Sequence, residues 1–85
     1  MARIEIIYTT KNTNDISEID EAIASVVSEH GGTEEGSGYG PEGRELVFEV
    51  FPNTELRRLI PALNKNAERW KSRGVIEGLT LQELS

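Results

Sequence analysis

Eighty-five residues, 36% of them hydrophobic and 28% charged, suffice for one folded domain with a thin core, because a chain of this size buries only about two thirds of its unfolded surface. No apolar run approaches the ~18 residues of a membrane span, and the absence of Cys points away from a disulfide-stapled secreted domain and towards the cytoplasm. The net charge of −6 opposes a polyanion, so nucleic acid is not the expected partner. The charge is also uneven. Residues 1–56 carry twelve acids against Arg3, Lys11 and Arg44, whereas residues 57–85 carry six bases against Glu68, Glu77 and Glu83. An acidic half of this kind keeps a small protein soluble and steers a basic protein towards it.

Ala2 to Thr10 alternates, with Ile4, Ile6 and Tyr8 on one side and Arg3, Glu5, Ile7 and Thr9 on the other. That period of two predicts a strand, and the stretch is too short and too charged for a signal peptide. Lys11 to Asn14 is a polar turn, and Asp15 with Glu18 has the spacing of a capping box. Ile16, Ile19, Ile23, Val26 and Val27 then recur at helical spacing, and Glu18, Asp20, Glu21, Ser25, Ser28 and Glu29 make the solvent face. His30 and Gly31 close this helix, the His as a partner for the helix dipole and the Gly as a left-handed cap.

Thr33 to Tyr39 is polar and Gly-rich, which predicts a short, irregular strand at a sheet edge. Gly40-Pro41-Glu42-Gly43 is turn chemistry, and Arg44 to Phe51 reads as a strand with Leu46, Phe48 and Val50 on one face. The hairpin brings Tyr39 near Arg44. Pro52 ends the strand, and Asn53 or Thr54 is placed to cap a second helix lined by Leu56, Leu59, Ile60, Leu63, Ala67 and Trp70. Pro61 lies inside that pattern and predicts a kink or broken turn at residues 57–60. Lys71, Arg73 and Gly74 stop the helix, and Val75 to Leu84 alternates loosely as a last strand that frays.

Strand, helix, strand, strand, helix, strand is the ferredoxin-like βαββαβ order, an α+β two-layer sandwich with both helices on one face of a four-stranded antiparallel sheet. The first and third strands are expected at its centre, parallel to each other. The open face then carries Ile7, Val47 and Phe51, more apolar surface than solvent requires, among Glu5, Glu45 and Glu49. Self-association as a homodimer through this face or the sheet edge is the expected use.

Gly38-Tyr39-Gly40-Pro41-Glu42-Gly43 has the G-x-G-x-x-G spacing, but a strand rather than a helix follows it and Pro41 lacks an N–H, so it does not cradle a dinucleotide. His30 is the sole His, no Cys can act as nucleophile, and adjacent Glu34 and Glu35 point to opposite faces of an extended segment. No enzyme, metal or cofactor is therefore expected. The cluster Arg57, Arg58, Lys65, Arg69, Lys71 and Arg73 reads as a solvated helix face, and the acids around Phe51 oppose base stacking.

In element order, and in the segment from Gly36 through Arg44, the chain resembles small stand-alone ferredoxin-like proteins of bacteria and phages. Small acidic proteins of that kind include inhibitors, immunity proteins and phage counter-defence proteins. The resemblance implies a protein-binding module acting through an acidic surface, here Glu18, Glu21, Glu34, Glu35 and Glu42, on a basic partner. The alternative is a small anion or metabolite held at the hairpin by Tyr39, Gly40 and Arg44.

Overall fold

In the computed structural model, which describes residues 2–84, the first alternating segment becomes β1 (Ala2–Thr9), burying Ala2, Ile4, Ile6 and Tyr8. Helix α1 (Ile16–Ser28) follows and buries Ile19, Ile23 and Val27. Strands β2 (Gly32–Gly40) and β3 (Gly43–Val50) form the hairpin. Helix α2 (Leu56–Ser72) buries Leu56, Leu59, Leu63 and Ala67, and β4 (Gly78–Glu83) completes the sheet. No described helix is long and apolar enough to cross a membrane.

The sheet order is β2–β3–β1–β4, with every neighbouring pair antiparallel. This is the expected α+β architecture with β1 and β3 central, but those two strands do not run parallel. A helix returns the chain, so β1 and β2 point the same way; the hairpin then reverses β3 against both. The buried stripes of both helices meet Ile4, Ile6, Tyr8, Leu46, Phe48 and Val50 in one cluster, so both helices cover the same sheet face. Leu79 and Leu81 pack against this cluster half-buried, and Ile76, in the connection before β4, is buried in it.

The helix ends depart from the sequence reading. Asp15 makes no side-chain cap bond; a 3-10 turn at Thr13–Asp15 winds the backbone into α1 instead. A second such turn at Asn53–Glu55 precedes α2, so neither Asn53 nor Thr54 caps it, and the Leu56 N–H donates to the Asn53 carbonyl. When a turn tightens this way, backbone carbonyls satisfy amides that a capping side chain would otherwise serve. Nor is α2 broken at Pro61: it runs unbroken from Leu56 to Ser72 with Pro61 exposed, so the carbonyl left without its N–H faces water. At the far end Val75 N–H donates to Trp70 O at 2.9 Å and Gly74 N–H to Lys71 O at 3.0 Å, the pair of hydrogen bonds that closes a Schellman turn.

Two glycines are dictated by geometry. Gly31 has φ 77° and lies so close to the Phe51 carbonyl that a Cβ has no room, while its own carbonyl accepts the Phe51 N–H at 3.0 Å. Gly43, at φ 138°, ends the Pro41–Glu42 turn against the Tyr8 carbonyl.

Asp20 is not the solvent-face residue that the helical pattern predicts. Its carboxylate accepts the Tyr8 hydroxyl at 2.6 Å and the Arg44 Nη2 and Nε at 2.7 and 3.1 Å. The helix is thereby tied to β1 and β3 at once. The pair is mostly buried, with 15% of the Arg44 and 18% of the Asp20 side chain exposed. Burial, reinforced by the bond to Asp20 and its charge, pushes the Tyr8 phenol well above its usual range. The bond to Asp20 likewise raises Arg44, against the opposing effect of burial.

Two outcomes follow from this network. Asp20→Ala leaves two donors without their acceptor, so thermal denaturation is expected to show a loss of about 2 kcal/mol, or roughly 10 °C in Tm. An unchanged Tm would show that the network adds nothing. Tyr8 stays neutral in the folded state where the unfolded phenol ionises, so its contribution is whole below about pH 10 and is lost as pH rises above that value. The stability gap between wild type and Tyr8→Phe should therefore narrow above about pH 10, by up to about 1.4 kcal/mol per pH unit, in denaturant melts run from pH 8 to 11.5.

Candidate functional site

Among the described residues β2 lies at the end of the sheet and pairs only with β3, so one side of its backbone has no strand partner. Such an edge offers N–H and C=O groups to another extended chain. It is nine residues long, longer than the sequence reading expected, but it is irregular. The register passes from Glu34 opposite Phe48 to Gly36 opposite Val47, leaving Glu35 as an extra, unpaired residue. Beyond that bulge Ser37 and Tyr39 share the helix-covered face with Leu46 and Arg44, while Gly36, Gly38 and Gly40 share the open face with Val47, Glu45 and Gly43.

The structure separates the five acids that the sequence grouped. Glu21 of α1 and Glu34 of β2 line one open groove of about 270 Å³ between helix and strand, with Ser17, Ser37 and Arg44. Glu35 instead reaches across the open face to Arg3, Nε to Oε1 at 3.0 Å. Glu18 lies in a different groove, between the start of α1 and the end of α2, beside Arg73 and Trp70. Glu42 is exposed at the hairpin turn, next to Ile7 and Leu79. Only Glu21 and Glu34 thus share a concave surface, and it runs beside the unpaired edge.

Tyr39 and Arg44 do come together: the guanidinium lies 4.7 Å from the Tyr39 ring centroid, and the ring is 71% exposed. Gly40 adjoins them in an open groove of about 320 Å³ that also contains Thr9, Thr10 and Thr13. The guanidinium there is already bonded to Asp20 through Nε and Nη2, and Nη1 approaches the Gly38 carbonyl at 3.4 Å. Neither Tyr8 nor Asp20 was singled out from the sequence. The available signals were a Tyr at a strand end, whose buried hydroxyl requires an acceptor, and an Asp directly beside the apolar stripe of its helix.

On the open face Ile7 and Val47 are half-buried diagonal neighbours. Phe51 lies past the end of β3, 66% exposed, four residues from Val47 or about 13 Å along the strand. The three make no continuous apolar patch. Each acid between them stands opposite a residue of another kind: Glu45 faces Ile7, Glu5 faces Val47, and Glu49 faces Arg3. His30, just past the end of α1, places Nδ1 3.5 Å from the Glu55 carboxylate. Among the described residues no three His, Cys, Asp or Glu side chains gather as metal ligands.

Neither a family model nor a curated protein matches the chain. Its fold is similar to that of the crystal structure of protein Atu4242 from Agrobacterium tumefaciens, with a TM-score of 0.55 and 17% identity, over 100% of this chain and 92% of that one. At that identity the likeness extends to the fold, and the fold carries no activity with it.

Proposed function

We propose that the protein is a non-catalytic binding module that captures a segment of a basic protein along the outer edge of β2, in the manner of an inhibitor, immunity or phage counter-defence protein. The supporting observation is the coincidence of two features at one place. Among the described residues the outer backbone edge of β2 has no strand partner, and Glu21 and Glu34 line the groove between α1 and β2 that adjoins it on the helix-covered face. Main-chain bonds supply affinity in such a complex, and side chains in adjacent pockets supply selectivity. The segregated charge of the chain adds orientation during approach.

The anion-site reading draws less support. An anion beside Tyr39, Gly40 and Arg44 would compete with Asp20 for a guanidinium that is bonded and mostly buried.

The reading is tested with a defined probe, a fluorescent seven-residue peptide alternating Lys and Ala, by anisotropy at low and high salt. Binding should weaken steeply with salt, and Glu21→Lys with Glu34→Lys should weaken it roughly tenfold or more at low salt. Glu68→Lys, on exposed α2, serves as the control of equal net charge per substitution. Equal affinities for the wild type and the Glu21/Glu34 double variant would refute the assignment of these acids.

A further inference from the structure

The two faces of the β2 edge differ in chemistry. At Gly36 and Gly38 the position of a side chain is open space, whereas at Gly40 the Glu45 carboxylate fills it. Val47 stands opposite Gly36, which brings no side chain against it, and it remains half-buried. On the open face the edge is therefore bare backbone at Gly36 and Gly38, with Val47 beside Gly36, Glu45 opposite Gly38 with its carboxylate at Gly40, and Glu35 paired with Arg3 across the same face. The other face presents Ser37, Tyr39 and Glu34, with Glu21 across the groove.

A strand added to β2 alternates its side chains in step with it. We propose that the captured segment is an amphipathic strand in which aromatic residues alternate with Lys or Arg, an inference that rests on the edge-capture reading above. Rings on the open face lie across Gly36 and Gly38 and reach Val47, two strand spacings or about 10 Å away. Glycine permits this because it leaves no Cβ under the ring, the arrangement by which an aromatic shields an edge glycine. Cations on the opposite face meet Glu21 and Glu34. The chain's own edges do not have this pattern. Gly32–Gly40 contains one aromatic residue and two acids but no cation, and Gly78–Glu83 contains neither an aromatic nor a cation. A second copy consequently offers β2 like charge where opposite charge is needed.

The test compares three capped heptapeptides: Lys alternating with Phe, Lys alternating with Ala, and Lys and Phe in two blocks. Their affinities are measured by calorimetry against wild type and Gly36→Val. The alternating Phe peptide should bind roughly tenfold tighter than the Ala peptide, as two favourable cross-strand contacts imply, and the block peptide should lose that gain. Gly36→Val places a strand-favouring side chain in space that is empty, so it should fold, and by occupying the place of the ring it should abolish the preference for the Phe over the Ala peptide. Equal affinity for Phe and Ala peptides would overturn the aromatic assignment and leave basic-strand capture standing. Binding of none of the three would overturn both. A stable dimer in sedimentation at micromolar concentration, undisturbed by the peptides, would give the edge to a second copy and overturn the proposal as well.

Discussion

Asp20 serves two donors from different strands at once. The Tyr8 hydroxyl, on a residue 1% exposed, and the Arg44 guanidinium both need an acceptor at the hairpin end of the sheet, and the carboxylate of Asp20 serves both. The hydrophobic stripe of α1 brings the helix down onto the sheet, but apolar contact alone is not directional. The shared carboxylate fixes which turn of α1 lies over which residues of β1 and β3. Arg44, once held, lies over the Tyr39 ring and near the Gly38 carbonyl, so the hairpin end of β2 is bound to the same network. The edge strand would otherwise depend mainly on its ladder with β3 and on a sequence containing four glycines, which gives little packing of its own.

The bulge at Glu35 has a comparable effect on charge. A strand places successive residues on opposite faces, and one extra residue restores the alternation in a different phase. Before the bulge Glu34 faces the helix layer; after it all three glycines fall on the open face. Without the extra residue the glycines would lie beneath α1, where Leu46 and Arg44 have their cross-strand neighbours. Glu35, freed from the ladder, neutralises Arg3 instead of adding to the charge near Glu34. One irregular residue thus leaves Glu34 as the only acid of the strand directed into the groove with Glu21.

The framework was readable in advance wherever burial alone decides it. Ile4, Ile6 and Tyr8 in β1, Ile19, Ile23 and Val27 in α1, and Leu59 and Leu63 in α2 are apolar at the right period and are buried. What could not be read depended on partners distant in sequence. Asp20 looked like any other acid on a helix face, because its donors lie 12 and 24 residues away. The caps at Asp15 and Asn53 were misjudged because a tightened turn competes with a side-chain cap for the same amides. The five acids read as one surface because composition assigns charge to a region but not to a face. The expected direction of β3 relative to β1 failed on connectivity, since one helical return followed by one hairpin admits only an antiparallel pair.

An unpaired, glycine-rich edge on a thin-cored domain is an invitation to aggregate, and the features around it can be understood as constraints on what it accepts. The bulge interrupts the regular ladder, and acids flank it on both faces, which discourages pairing with another copy of the same strand. A repulsion that excludes like charge is at the same time a preference for opposite charge, since selectivity is the difference between two affinities rather than the strength of either. The glycines act in the same direction. They weaken β2 as a strand because they contribute no side-chain contact, so more stabilisation remains to be gained by a partner that brings side chains of its own than by one that brings glycines. A cationic strand bearing large apolar residues meets both conditions, and a second copy of β2 meets neither.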